Sequence, residues 1–420
     1  MSEDDVAENE VKYYVFVRNG CRHYDPQHLS AGMMSVIFIF PMPESNTIGT
    51  LDEYSNGIVL INFKGYGEEP ECKVIAQKFN ELVLGPPFKY RFCPNFSEEV
   101  VVYSKAQGAV VTNIKTGEVF HVGCGLLRDD DYMLGIRFLD PQKDLFVIVR
   151  SIDEGNSGYE NYLHVVKLEK QQLVDTSWSI HLCETPYISS SFPLYHTWFV
   201  SDGKLFVYNN GKILCTDGNQ PVSHPFSEVV NSNSDRIGNI KDLAIHPTLP
   251  FGVMVEDYAS GSIFHQLTAV CWEAKKPKGQ IVAFNDVFEP LAPIFDLERI
   301  ALAYQSFSPA GNWYVVGCLT PEAVAAPEEP KDPFFIAIPV DDERPNFLVV
   351  EKLVVLGQVK NMTSLAWTTG PASYVVSNGE LLHKWDLDEL PAAREFVVPA
   401  DGGKVKGKPI FRKIKDLVGL

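Results

Sequence analysis

The chain has 420 residues, 45% of them hydrophobic, with 54 acidic against 36 basic side chains and a formal net charge of -18. That much apolar material supports a large core and excludes a disordered or low-complexity protein. The acidic balance excludes broad electrostatic capture of nucleic acid, because phosphate binding needs a basic footprint that only local patches here can supply.

Residues 1–10, Met-Ser-Glu-Asp-Asp-Val-Ala-Glu-Asn-Glu, read as an acidic disordered tail. They are the opposite of a basic-then-apolar secretory signal, and no apolar run reaches the ~18 residues that span a bilayer, so a cytoplasmic or nuclear location is expected. The eight cysteines, Cys21, Cys72, Cys93, Cys124, Cys183, Cys215, Cys271 and Cys318, stand singly with no C-x-x-C pair. They are expected to be reduced and mostly buried. Cys21-Arg22-His23 with Asp25 and His28 gathers metal-ligating types in one stretch. The spacing fits no zinc rule and a second anchor pair is missing, so neither metal nor cofactor is expected.

Along the chain, Tyr13 to Val17, the Asn19-Gly20 turn, Val36 to Phe40, Gly57 to Phe63 and Val74 to Ala76 supply strand for a first sheet. Lys73 to Leu84 is one of two stretches with helical periodicity, the C-terminal tail being the other. A repeat then emerges. Phe92-Cys93-Pro94 precedes Val100 to Tyr103, Phe138-Leu139-Asp140-Pro141 precedes Leu145 to Val149, and Ile245-His246-Pro247 precedes Val253 to Val255. Phe307-Ser308-Pro309 leads through Ala310-Gly311-Asn312 into Trp313 to Val316, and Leu365-Ala366-Trp367 leads through Gly370-Pro371 into Tyr374 to Val376. Each copy is an apolar strand, a turn and a β-rich strand. Between Pro141 and Pro247, Trp198 to Leu214 carries Asp202-Gly203 and Asn210-Gly211 hairpin turns.

The strands after each turn complete the unit. Ala109 to Ile114, the Lys115-Thr116-Gly117-Glu118 turn and Val119 to Val122 follow one copy. Leu381 to Leu387 and Glu395 to Val398 follow the last in the same order. Seven such units with a period of roughly 45 to 60 residues, each unable to bury both faces alone, imply sheets packed around an axis. On the Phe-x-Pro lead-in, the Thr116-Gly117 turn and the Trp385-Asp386 dipeptide, the chain resembles the WD40-like β-propeller superfamily, in divergent form, over about residues 11–400. It departs from the family in having a single well-placed Trp-Asp and no Gly-His. The expected fold is therefore all-β: a single propeller of seven four-stranded blades.

Chemical motifs are sparse. Asp129-Asp130-Asp131 lacks the Asp-x-Asp-x-Asp-Gly alternation of a calcium loop and reads as a solvated connection. Neither a nucleophile elbow nor a phosphate-binding glycine loop occurs. An enzyme of hydrolase or lactonase type, acting on a small molecule or glycan at the central channel, would draw on His246, His265, Asp257 and Glu256. The simpler reading of His246 is a hydrogen-bonded turn residue beside Pro247. Trp313, Trp367 and Trp385 fall on repeat positions expected in the core. Trp178 lies outside the strongest pattern and is expected to be an exposed partner anchor.

Two further segments stand apart from the ring. Residues 320–333 are a Pro- and Glu-rich insertion expected to project as a loop. Residues 401–420 form a basic tail in which Ile410, Phe411, Ile414, Leu417 and Val418 recur at helical spacing, with Lys408-Pro409 suited to a helix start. This amphipathic element either folds back on the acidic ring or docks on a partner protein or an anionic membrane surface. The composition favours a non-enzymatic interaction scaffold, a subunit of a larger protein complex, with the propeller enzyme as the alternative.

Overall fold

The computed structural model describes residues 13–14, 16–17, 21–25, 36–42, 45–52, 58–65, 68–76, 95–96, 100–105, 108–113, 116, 118–129, 131–140, 144–155, 158–185, 198–201, 204–209, 212–216, 240–249, 251–257, 265–271, 280–282, 301–319, 332–343, 347–349, 352–370, 372–388 and 397–398. Most of these lie in β-strands. Among them, no helix is long and apolar enough to cross a membrane.

Most sheets are antiparallel meanders in chain order. Val36–Pro41, Thr47–Asp52, Ile58–Asn62 and Glu71–Ala76 make one of four strands, and Ile240–Ile245, Phe251–Asp257, His265–Cys271 and Gln280–Val282 another. Trp198–Ser201, Lys204–Asn209 and Lys212–Thr216 form a three-stranded sheet. Ala301–Phe307, Trp313–Leu319, Phe334–Pro339 and Val354–Gln358 are joined by Phe16–Val17, which runs parallel to Val354–Val355. An eight-stranded sheet holds two meanders, from Asn95–Phe96 to Val119–Cys124 and from Asp131–Asp140 to Gln172–Thr185. The two are paired edge to edge where Gly123 and Cys124 run parallel to Gln172 and Leu173. The last sheet, Ser364–Trp367, Ser373–Ser377 and Leu382–Asp386, takes its fourth strand from the other end of the chain, Arg22–Tyr24.

Neighbouring sheets pack face to face through alternating apolar residues. The 95–124 meander meets the 131–185 meander through Ala109, Val111, Ile136, Phe146 and Ile148. The latter meets the 198–216 sheet through Val147, Leu163, Val165, Leu205 and Val207. The 301–358 and 364–386 sheets share Trp313, Val315, Phe335, Val354, Trp367, Tyr374 and Trp385. The 364–386 and 36–76 sheets share Ile39, Ile48, Ile61, Val375 and Leu382. The three tryptophans expected in the core are there, each at most 8% exposed. Each also donates its indole N–H: Trp313 to Asp388 at 2.8 Å, Trp367 to Ser306 at 2.9 Å and Trp385 to the Leu356 carbonyl at 3.0 Å. A buried indole thereby bonds one sheet to the next while its ring fills the gap between them.

Several expectations are corrected. The first sheet takes Thr47–Asp52, not Tyr13 to Val17. Tyr13–Tyr14 instead pairs with Val397–Val398, removing that segment from the last sheet and leaving its outer edge to Arg22–Tyr24. Lys73 to Ala76 is strand and not the start of a helix, because Lys73, Val74 and Ala76 pair with Leu60, Val59 and Ile58 in the antiparallel ladder. Asp131 is 3% exposed rather than solvated: its Oδ2 accepts from the Arg128 N–H and from the Arg150 guanidinium, both Nε and Nη2. A carboxylate so enclosed is held by its cation, and the loop is tied down.

Candidate functional site

Arg22–Tyr24 lies antiparallel to Leu382–Asp386, with Tyr24 opposite Leu382, His23 opposite His383 and Arg22 opposite Lys384. Alternation along the two strands therefore separates two chemistries onto two faces. One carries Arg22, Tyr24, Leu382, Lys384 and Asp386 towards the 36–76 sheet, where Tyr24 and Leu382 join the core. The other carries Cys21, His23, His383 and Trp385, with Cys21 and Trp385 packed against the 301–358 sheet.

The first face is a buried ion network. Asp386, 6% exposed, pairs with both Arg22 and Lys384 and accepts from the Ser373 hydroxyl. Lys384 is 2% exposed, and its ammonium sits 5.2 Å from the centre of the Phe63 ring. Two cations around one carboxylate are tolerable at this depth only while all three charges stay together. The network ties residue 22 to residue 386, so it acts as a clasp.

The second face gathers soft and borderline donors. The His23 and His383 rings meet edge to face, centroids 4.8 Å apart at 83°. Cys21 Sγ is 4.0 Å from His383 Nδ1, and one donor atom from each of the three residues lies within 4.8 Å of the others. Burial pushes the Cys21 thiol up to about 12, against a hydrogen bond from the Lys384 backbone that favours the thiolate. Burial, with His23 nearby, pushes His383 down to about 4, so its imidazole is neutral at physiological pH. These are the residues able to hold a metal ion among those described. Sequence reasoning found two of them and missed His383, whose only local signal is its place in the alternation Leu382 to Asp386.

Of the residues considered for catalysis, His246 stands apart from Glu256, Asp257 and His265, which lie together at the opposite end of the 240–282 sheet. His246 ends the strand Ile240–Ile245 and is buried; its Nδ1 accepts from the Thr248 and Leu249 N–H groups at 3.2 and 2.8 Å. That places the proton on Nε2, which donates to the Gly311 carbonyl at 2.9 Å. Its ring stacks on Phe251 and meets Phe307 edge-on, and burial holds its pKa below the usual imidazole value. The expected turn histidine is therefore also a link to the 301–358 sheet. Gly311 has φ of +80° and a Cβ there would stand 2.2 Å from His246 Nε2, so only glycine permits this contact. Glu256 and Asp257 are at the far end of the 240–282 sheet from His246: Glu256 opposes Ile240 and Asp257 opposes His265. Five residues of extended chain put the two ends roughly 17 Å apart.

Trp178 is not an exposed anchor. It is 6% exposed and packs with Val165, Leu205 and Val207 between two sheets. Asp175-Thr176-Ser177 reads as a break in sequence, but the strand Gln172–Thr185 absorbs it as a bulge, with Ser177 at φ of 66° and Trp178 opposite Val165. Ile410, Phe411, Ile414, Leu417 and Val418, like residues 1–10 and 320–331, lie outside the described residues.

Antiparallel meanders that follow one another in chain order, several of them packed face to face, with the last sheet completed by a strand from near the start of the chain, define a β-propeller. No family model matches the chain, and no curated protein does. Among solved structures it is similar to the β-propeller domain of Myceliophteria thermophila Cps50 (Swd1), at 10% identity, covering 90% of this chain and 99% of that one with a TM-score of 0.44. It is similar to Saccharomyces cerevisiae Sqt1 at 10% identity, covering 91% and 100% with a TM-score of 0.42. Kuenenia stuttgartiensis hydrazine synthase gives 12% identity, 90% and 98% coverage and a TM-score of 0.42.

Proposed function

We propose that the chain is a non-enzymatic interaction scaffold, a subunit of a larger protein complex built on one seven-bladed propeller over about residues 11–400. In this reading the eight-stranded sheet is two blades, and the blades are 36–76, 95–124, 131–185, 198–216, 240–282, 301–358 and 364–386 with 22–24. One observation carries the functional part: polar side chains of the kind that perform chemistry serve here to bond sheet to sheet. His246 reaches Gly311, Asp388 holds Trp313, Asn312 and the Ala372 N–H, and Asp386 holds Arg22 and Lys384. A ring stiffened in this way suits presentation of its loops, the 320–333 insertion and the basic tail to protein partners.

Affinity purification of the full chain with quantitative mass spectrometry, followed by reconstitution from purified components, tests the reading. A stoichiometric complex is expected. A chain that stays alone and hydrolyses a glycan or lactone, with the activity lost in Glu256→Gln or Asp257→Asn, overturns it.

A further inference from the structure

The scaffold role makes no use of the donors that meet at the closure seam. Cys21 and His23, two apart on extended chain, share a face, and His383 directly opposes His23 across the strand pair. Their donor atoms lie within 4.8 Å of one another. In a tetrahedral zinc site, with Zn–S of about 2.3 Å and Zn–N of about 2.0–2.1 Å, donor atoms stand about 3.4–3.6 Å apart. Closing the remaining distance takes a side-chain rotation, and His23 is exposed and has room for one. A second observation points the same way. His383 Nε2 is buried with no hydrogen-bond partner among the described residues, and its ring is stacked on Trp385. With no strong hydrogen bond fixing the ring, His383 Nδ1, the atom that faces Cys21 Sγ, is available to take a metal.

We propose that Cys21, His23 and His383 form a zinc-binding site that clasps the Arg22–Tyr24 strand to the last sheet, with a fourth coordination position open to solvent. One thiolate and two neutral imidazoles suit zinc and exclude magnesium and calcium, which take oxygen ligands. Binding releases the Cys21 thiol proton to solvent, and both histidines contribute lone pairs. Because the ligands come together only in the closed ring, zinc binds the folded chain and stabilises it by mass action.

The test uses the full chain. Metal analysis after equilibration with zinc is expected to give one zinc per chain, and cobalt(II) in its place a thiolate-to-cobalt charge-transfer band. Cys21→Ser and His23→Ala each weaken zinc binding at least ~10-fold and abolish the zinc-dependent rise in thermal midpoint, whereas Cys72→Ser changes neither. His23 is exposed, so its variant retains the fold, which circular dichroism verifies. Cobalt binding without the thiolate band, or zinc affinity unchanged in both variants, overturns the proposal.

Discussion

Replacing Trp385 probes the packing argument at its centre. The residue is 1% exposed, lies between the 301–358 and 364–386 sheets with its ring 6.3 Å from that of Phe335, and donates to the Leu356 carbonyl. Trp385→Ala removes roughly 150–200 Å² of buried apolar surface, which at ~25 cal/mol per Å² amounts to about 4–5 kcal/mol. Measured large-to-small substitutions of aromatic core residues give about 3–5 kcal/mol. The orphaned Leu356 carbonyl adds about 1 kcal/mol or more. Trp385→Phe keeps a ring in place and loses the N–H, so its cost is expected to be about 1–2 kcal/mol. Urea unfolding of the full chain, followed by far-UV circular dichroism, measures both as shifts in midpoint at constant slope. A loss below about 1 kcal/mol for the alanine variant would refute the assignment of Trp385 to the inter-sheet core. Equal losses for the two variants would refute the weight given to burial over the hydrogen bond.

The buried clasp gives a second expectation: Asp386→Ala leaves Lys384 and Arg22 without their shared carboxylate and lowers stability by about 3–5 kcal/mol in the same assay, against no change if solvent reaches the cations. Gly311→Ala forces a Cβ onto His246 at a positive φ and is expected to cost at least ~1–3 kcal/mol, and a neutral result would refute the tight His246 contact. Burial lowers the pKa of both His246 and His164, so the unfolded chain takes up their protons first. Their contribution is complete above pH 6.5 and is lost as pH falls through 6.5 towards the folded values. Unfolding midpoints measured on either side of that pH should fall on acidification, less steeply in His246→Gln, and an identical slope in that variant would contradict the assignment. Cys318 and Phe334 are opposed at the loop end of one hairpin, so replacing residues 320–331 by a short Gly-Ser turn should leave the unfolding midpoint unchanged, and a large loss would mean that the insertion packs on the ring.

What could be read from the residues alone is local. A short run of β-branched and aromatic residues bounded by Pro, Gly and Asn marks a strand and its turn wherever it occurs, so Leu145 to Val149, Trp313 to Val316 and Tyr374 to Val376 were legible as strands. Trp313, Trp367 and Trp385 were legible as core from their repeat positions, and His246 as a turn residue from Pro247. Strand pairing across the whole chain is not a local property. Nothing in Arg22-His23-Tyr24 indicates that it pairs with Leu382–Asp386, while Tyr13–Tyr14 pairs with Val397–Val398. The same limit hid His383 from Cys21 and His23, and Arg150 from the paired carboxylate of Asp131. Trp178 shows it within a single strand, because the bulge that seats it opposite Val165 exists only in register with the neighbouring strand. Alternation determines which side chains share a face. Which face they meet depends on backbone hydrogen bonds between segments distant in sequence, and these form only when the sheets pack together.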